Sequence, residues 1–356
     1  MATISIVGSA PIKLETSGSI STKFWFFHYL SSLGHKLISD SSGDILISIN
    51  HNQHAYRQYK KAGGSRESAF LIRLEPVSVY PGQYNKKIES QYRKVFTPGF
   101  AEDYKTRTHF VGWPYTFNLN PSKPLDTDPE LHSWLNDNFK KHENVNVEIW
   151  KKRPINAVMI AANKVSPLKN SNYKIRRKIA MNLPPDTLEV YGPLWNGQIF
   201  SKIRHRIATA VFTIKSRKIP NPVQLYGNLF GSYKTAKGEI PDKHSLLRDS
   251  KFSIVIENSS TTMSEKLIDS VLSGSVPIYL GPELKSLGLP PKLAIPFNGQ
   301  VESLLEILNN TPPEEIAEVL LQGSTFIESE NFLNNWTEKG VYTQIANSID
   351  ECLKEL

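Results

Sequence analysis

The chain has 356 residues, 39% of them hydrophobic, and its 42 Lys and Arg against 34 Asp and Glu give a formal charge of +8. At roughly 150 residues per domain this length suggests about two domains, and the apolar content excludes global disorder. No run of about 18 apolar residues occurs, so no membrane span is expected. The aromatic stretch Phe24–Leu30 is too short for one and lacks the flanks of a signal peptide. Cys352 is the one cysteine, which excludes an internal disulfide framework and a cysteine-based metal site. The composition reads as that of a cytoplasmic protein.

In chain order, Ile4–Val7 reads as a first strand closing on Gly8-Ser9. A helical pattern covers Ser21–Leu37, with Ser21 or Thr22 as its cap and Phe24, Phe27, Tyr29, Leu30 and Leu33 available for a core. Asp44–Ile49 is a buried-type strand, followed by the polar loop Asn50–His54, in which His51 and His54 are expected to be exposed. Ala69–Leu74 is a third strand, ending on Glu75-Pro76, and Lys94–Thr97 and Thr108–Val111 are short further strands. The stretch from Asn118 to Glu148 is polar and proline-containing. A second strand-led pattern opens at Ile155–Ala161, followed by a basic helix over Tyr173–Leu183 and a strand at Leu188–Tyr191. Residues 196–231 read as helix plus an irregular insertion. Order returns with the strand Phe252–Ile256, a helix over Ser264–Ser273 and the strand Val276–Leu280; Pro312–Glu315 starts another helix, and the last thirty residues look helical and acidic. Strands alternating with helices imply parallel, doubly wound sheets. The expected division is 1–150, 151–330 and an acidic helical segment at 331–356.

Charge is unevenly distributed. Between Lys151 and Lys218 fifteen Lys and Arg face two acids, whereas from Phe297 to the end eleven acids face two lysines. A basic middle suits a nucleic acid, an anionic lipid surface or a small phosphorylated ligand, or serves only as a solvated face balancing the acidic tail.

Three segments could carry chemistry. The strand ending in Glu257-Asn258 precedes a helix opening near Glu265-Lys266, and in open α/β sheets such strand ends are where ligands bind. Thr262 and Glu265 have capping-box spacing. Lys266 in a first helical turn opposes the helix dipole, which makes sense where an anion is bound. The basic helix places Ile175, Ile179 and Leu183 on one face and its cations on the others. A guanidinium fork there suits a diphosphate, with Arg176 and Arg177 both eligible. Glu75, at the mouth of the first sheet, could serve as a general base.

Together these segments resemble the family 10 glycosyltransferases, the α-1,3/1,4-fucosyltransferases and their bacterial and viral relatives. The likeness is closest over Lys251–Gly281, in Phe252-Ser253-Ile254, Glu257-Asn258-Ser259, Glu265-Lys266-Leu267-Ile268-Asp269 and Gly274–Gly281. It is weaker over Lys237–Lys243, over Arg176 with Leu188–Trp195, and over Leu74–Pro81, and spans roughly residues 44–300. The resemblance implies an α/β GT-B fold, two Rossmann-like doubly wound domains facing a cleft, with the acceptor on the N-terminal side and GDP-fucose held by the C-terminal half. It implies Glu75 as the catalytic base, Arg176 as the diphosphate-binding arginine, and Asn258, Glu265 and Lys266 as donor-binding residues beside Glu257. Thr262 stands where family members commonly carry a tyrosine, and the loop from Asn258 to Glu265 is shorter. The implied reaction is inverting transfer of L-fucose to a hydroxyl of a glycan or glycoconjugate, with no divalent metal expected to be essential. The acceptor stays open, lipopolysaccharide and protein glycosylation included.

Alternatives are another GDP-sugar on the same fold, and a basic nucleic-acid binder in which Tyr173, Trp195 and Phe212 stack on bases. No recognised motif frames that binder, so no nucleic-acid partner is expected. Association of the basic surface with anionic lipid, at the membrane periphery, is compatible with the enzyme reading. Asp126-Thr127-Asp128 has the form of a metal-binding Asp-x-Asp, but lies between prolines without a preceding apolar strand and reads as a turn. No histidine pair has metal-ligand spacing.

Overall fold

The computed structural model describes residues 1–9, 12, 14, 24–99, 108–115, 145–164, 166, 171–195, 233–240 and 242–355. The insertion read at 196–231, Asp126–Asp128, Phe212 and the proposed caps Ser21 and Thr22 lie outside the described residues. The chain forms two compact units, Met1–Leu135 with Phe326–Leu356, and Asn136–Thr325.

The first unit contains β1 (Thr3–Gly8), α1 (Phe24–Ser32), β2 (Lys36–Ile38), β3 (Ile45–Ile49), α2 (Gln53–Lys61), β4 (Ala69–Ile72), α3 (Lys86–Glu89), β5 (Lys94–Pro98) and β6 (Thr108–Val111). They form a parallel sheet of order β2-β1-β3-β4-β5-β6. Side chains alternate across a strand, and here both faces are apolar, the pattern of a parallel sheet covered on both sides. Ile6, Ile47, Phe70, Ile72 and Phe96 pack with Phe26, Phe27 and Leu30 of α1, whereas Val7, Leu46, Leu71 and Val95 pack with Ala55, Tyr56 and Tyr59 of α2.

Two local expectations are corrected in this unit. The first helix stops at Ser32 rather than reaching Leu37, because Gly34 takes φ 86° and the chain turns into β2, whose Leu37 pairs with Ile4. The loop after β3 is largely a helix. Asn52 caps α2 by accepting from the Ala55 amide, and Lys60 and Lys61 sit in the last turn, where cations favour the helix dipole. His54 is therefore helical, and His51 is buried at 3% exposure rather than exposed.

The second unit contains α4 (Val147–Lys151), β7 (Ile155–Ile160), α5 (Tyr173–Asn182), β8 (Glu189–Tyr191), β9 (Ala236–Gly238), α6 (Lys243–Arg248), β10 (Ser250–Ile256), α7 (Lys266–Leu272), β11 (Val276–Leu280), β12 (Ile295–Pro296), α8 (Val301–Asn310) and α9 (Pro313–Ile327). Its parallel sheet has the order β12-β11-β10-β7-β8-β9. Ala157, Met159, Phe252, Ile254 and Ile278 pack with Ile179 and Ala180 of α5 and Leu304 of α8; Val158, on the opposite face, meets Leu246 and Leu247 of α6. The last helices, α10 (Glu330–Asn335) and α11 (Glu338–Lys354), belong to the first unit.

Candidate functional site

Strand order in the second sheet reverses at β7, with β8 on one side and β10 on the other. The carboxyl ends of β7 and β10 thus flank a topological switch point, where open α/β sheets take their ligands. Glu257 and Asn258 follow β10 directly, and α5 begins the crossover from β7 to β8. The Asn172 amide at the start of α5 donates to the Asn258 carbonyl at 3.1 Å, and Ser171 bridges Ser259. These contacts tie the two ends together.

Arg176 reaches this junction from α5 and is 2% exposed. Its Nε donates to the Ile256 carbonyl at 2.9 Å, and Nη2 donates to the same carbonyl and to Asn258 Oδ1, the latter at 3.0 Å. The guanidinium lies over the Tyr173 ring, 5.1 Å from its centroid. Burial lowers its pKa, opposed by the charge of Glu257. Arg177 is also buried and donates from Nη1 to the Lys164 carbonyl at 2.6 Å. The basic helix is therefore not simply a solvated face: two of its cations are buried, and only Arg176 joins the β10 end.

Glu257 is wholly buried, with its amide bonded to the Leu280 carbonyl at 2.8 Å. Its Oε2 accepts from Ser264 Oγ at 2.7 Å, and Ser264 Oγ accepts in turn from Lys266 Nζ at 2.7 Å. Burial raises the Glu257 pKa, partly offset by Lys266 and the Ser264 bond. Oε1 of Glu257 and the hydroxyl of Tyr279 are buried without a hydrogen-bond partner. Lys266, first residue of α7, also lies 3.7 Å from the half-exposed Glu265 carboxylate, and its charge holds the Glu265 pKa down. The capping box read at Thr262 and Glu265 does not form. Thr262 Oγ1 is bonded to Ser259 Oγ at 2.8 Å, and Glu265, already at helical φ −59°, makes no side-chain cap.

In the first unit, Glu75 follows β4 with its side chain exposed. Its backbone is held firmly: Asn50 Oδ1 accepts from the Leu74 and Glu75 amides at 2.9 and 3.0 Å, and the Glu75 carbonyl accepts from Gln83 Nε2 and Tyr84 Oη at 2.9 and 2.7 Å. Next to Asn50, His51 Nδ1 meets the Tyr92 hydroxyl at 2.8 Å and Nε2 meets Gln53 Oε1 at 3.2 Å. A neutral ring protonated on Nε2 satisfies both, and burial lowers its pKa.

Sequence reasoning thus named Arg176, Glu257, Asn258, Glu265 and Lys266, which the second unit brings together, and Glu75, which the first unit carries. It missed Ser264, Asn50 and Gln83. Ser264 precedes the Glu-Lys pair by one residue, and Asn50 follows a wholly buried strand at a position where Asn tolerates left-handed backbone; Gln83 gave no signal. The base-stacking reading loses its footing, because Tyr173 and Trp195 are buried. Among the described residues, no three His, Cys, Asp or Glu side chains are grouped so as to hold a metal ion. No helix among them is long and apolar enough to cross a membrane.

The architecture matches HepE of Anabaena, solved in complex with UDP and glucose, at a TM-score of 0.54 and 11% identity over 99% of this chain and 100% of that chain. HepE solved with UDP-glucose matches at 0.51 and 11% identity, covering all of both chains. The fold is GT-B. An α1,3-fucosyltransferase structure also matches, at 13% identity over 98% of this chain and 90% of that chain, but its TM-score of 0.45 carries no weight. No protein-family model matches the chain, and no curated protein matches it in sequence. Two units, each with a parallel sheet, therefore supply the frame, and among the described residues the β10–α7 junction is the most chemically dense feature.

Proposed function

We propose that the chain is an inverting glycosyltransferase that moves L-fucose from GDP-fucose to a hydroxyl of a glycan acceptor. The observation that carries this reading is the meeting of Arg176, Asn258 and Lys266 at the carboxyl end of β10. The GT-B fold, shared with a protein solved with UDP-glucose, agrees with a nucleotide-sugar donor. The sequence likeness favours fucose and guanine.

In this reading Lys266 supplies a positive charge to the departing diphosphate. Arg176 does so through Nη1, since Nε and Nη2 already hold β10. Asn258 accepts from Arg176 with Oδ1 and keeps its Nδ2 donors for the sugar, while the half-exposed Glu265 carboxylate, beside Lys266, accepts from ribose hydroxyls. Glu75 takes the proton of the acceptor hydroxyl, whose oxygen attacks the anomeric carbon from the face opposite the diphosphate. The new glycosidic bond forms as the bond to the diphosphate breaks, which inverts the anomeric centre. Charge develops on the leaving diphosphate, where fixed cations stabilise it most, so no divalent metal is required.

Calorimetric titration of GDP-fucose, GDP-mannose and UDP-glucose in the presence of EDTA tests the donor. Selective GDP-fucose binding is expected; GDP-mannose binding instead would change the sugar and keep the mechanism. Glu75→Gln is expected to retain donor affinity and lower turnover by about 10²–10⁴, the usual contribution of a general base. Unchanged turnover in that variant removes Glu75 from the role. Lys266→Ala is expected to weaken donor binding by roughly 10- to 100-fold, the loss of one charge-assisted hydrogen bond.

A further inference from the structure

Glu257 and Ser264 have no direct part in the reaction just described, yet both are buried at the β10–α7 junction, Glu257 completely. A carboxylate taken fully out of water is costly unless a cation compensates it. The cation nearest in the hydrogen-bond network is Lys266, and the link is a single hydroxyl: Lys266 Nζ to Ser264 Oγ at 2.7 Å, Ser264 Oγ to Glu257 Oε2 at 2.7 Å. Arg176 feels the same carboxylate from the other side of the junction.

We infer that Ser264 and Glu257 form a buried relay that aims the Lys266 ammonium at the diphosphate of the donor. Glu257 is then a positioning residue that never touches the nucleotide, in place of the direct donor contact expected of it. The inference rests on the reading of Lys266 as a diphosphate ligand. A lysine side chain has many rotamers to lose on binding, and tethering one N–H to Ser264 removes much of that freedom before the donor arrives. The hydroxyl is fitted to this task because it donates to the carboxylate and accepts from the ammonium at once. The site also shows how the carboxyl is packed in place. A Cβ added at Gly281 would lie 2.9 Å from Glu257 Cγ and 2.4 Å from the Tyr279 hydroxyl, so only glycine leaves room for this arrangement.

Ser264→Ala is the discriminating variant, since it removes the bridge and leaves every charge in place. Its affinity for GDP is expected to fall about tenfold, the loss expected for one hydrogen bond to a charged group. In a Lys266→Met background the same substitution is expected to have no further effect, because the relay acts only through the ammonium. Ser264→Thr, which keeps the hydroxyl, is expected to restore most of the affinity. Ser264→Ala binding GDP as tightly as the unsubstituted chain overturns the relay and leaves the function standing. An equal loss in the Lys266→Met background also overturns it, showing Ser264 to be a packing residue. Failure of the unsubstituted chain to bind either GDP or UDP overturns both the function and the relay.

Discussion

Asn50 adopts φ 54°, a left-handed conformation in which asparagine is tolerated far better than most residues. Its side-chain oxygen accepts from two successive amides, those of Leu74 and Glu75, and from Gln83 Nε2 at 3.3 Å. One residue thus fixes the backbone from which the proposed base projects. Asn50→Ala is expected to lower stability by roughly 2–4 kcal/mol, combining backbone strain with buried amides left unsatisfied. Asn50→Gly, which removes the contacts and relieves the strain, is expected to lose less; urea unfolding of the two variants reads the difference. At the other site, Gly281→Ala puts a methyl against Tyr279 and Glu257 and is expected to cost about 1–3 kcal/mol, the usual penalty of overpacking. A thermal midpoint equal to that of the unsubstituted chain would show that the junction yields freely.

At the scale of elements, β3 and α2 illustrate how a short connection organises one end of a sheet. Asn52 caps α2 through Oδ1 and ties it to β1 by donating from Nδ2 to the Gly8 carbonyl at 2.7 Å. Between the two elements His51 is buried and neutral, with a pKa below its ordinary value of about 6.5. In the unfolded chain the same histidine takes up a proton near pH 6.5. The unfolded state therefore binds more protons than the folded one as pH falls, and stability rises with pH across that window. The contribution is complete above about pH 6.5 and drains away below it. His244, packed against α7 and likewise lowered by burial, acts in the same direction. Urea unfolding is expected to show lower stability at pH 5.5 than at pH 7.5, and His51→Gln is expected to shrink the gap without abolishing it. A gap of unchanged size would mean that His51 titrates normally.

At the scale of the molecule, the chain leaves its first unit, builds the second and returns. Val341, Tyr342, Ile345, Ala346 and Ile349 of α11 are buried in the same cluster as Phe26, Phe27 and Leu30 of α1. The Phe26 and Tyr342 rings meet at a tilt of 33° with centroids 5.2 Å apart. Each large apolar side chain buried in this way contributes about 1.5–3 kcal/mol, so the helix matches the whole net stability of a typical domain, about 5–15 kcal/mol. Removal of residues 326–356 is expected to unfold the first unit, seen as rapid proteolysis of the β1–β6 region. A truncated chain as resistant to protease as the full one would show that the first sheet stands without α11. Glu338 of this segment is buried, whereas Glu328, Glu330, Glu351 and Glu355 are exposed; Asp350 pairs with Lys354 at 2.7 Å and Arg93 pairs with Glu355.

Apolar runs bounded by Gly, Pro and Asn were enough to locate β1, β3, β4, β7, β10 and β11, because a strand buried on both faces of a parallel sheet is marked by composition alone. The same runs located the carboxyl ends that carry Glu75 and Glu257-Asn258. Polar segments were another matter. The stretch after β3 reads as loop, since α2 buries only Ala55, Tyr56 and Tyr59 and owes its place to a cap and a sheet to lie on. Arg176 and Arg177 are neighbours of equal chemistry, and only packing decides that one joins Ile256 and Asn258 while the other turns to Lys164. The link from Lys266 through Ser264 to Glu257, and the return of α11 to the first sheet, depend on contacts between residues far apart in the chain or on side-chain direction. Local patterning decides where the chain is regular and apolar; which polar groups face one another is settled when the sheets assemble, because hydrogen bonds are directional and burial is not.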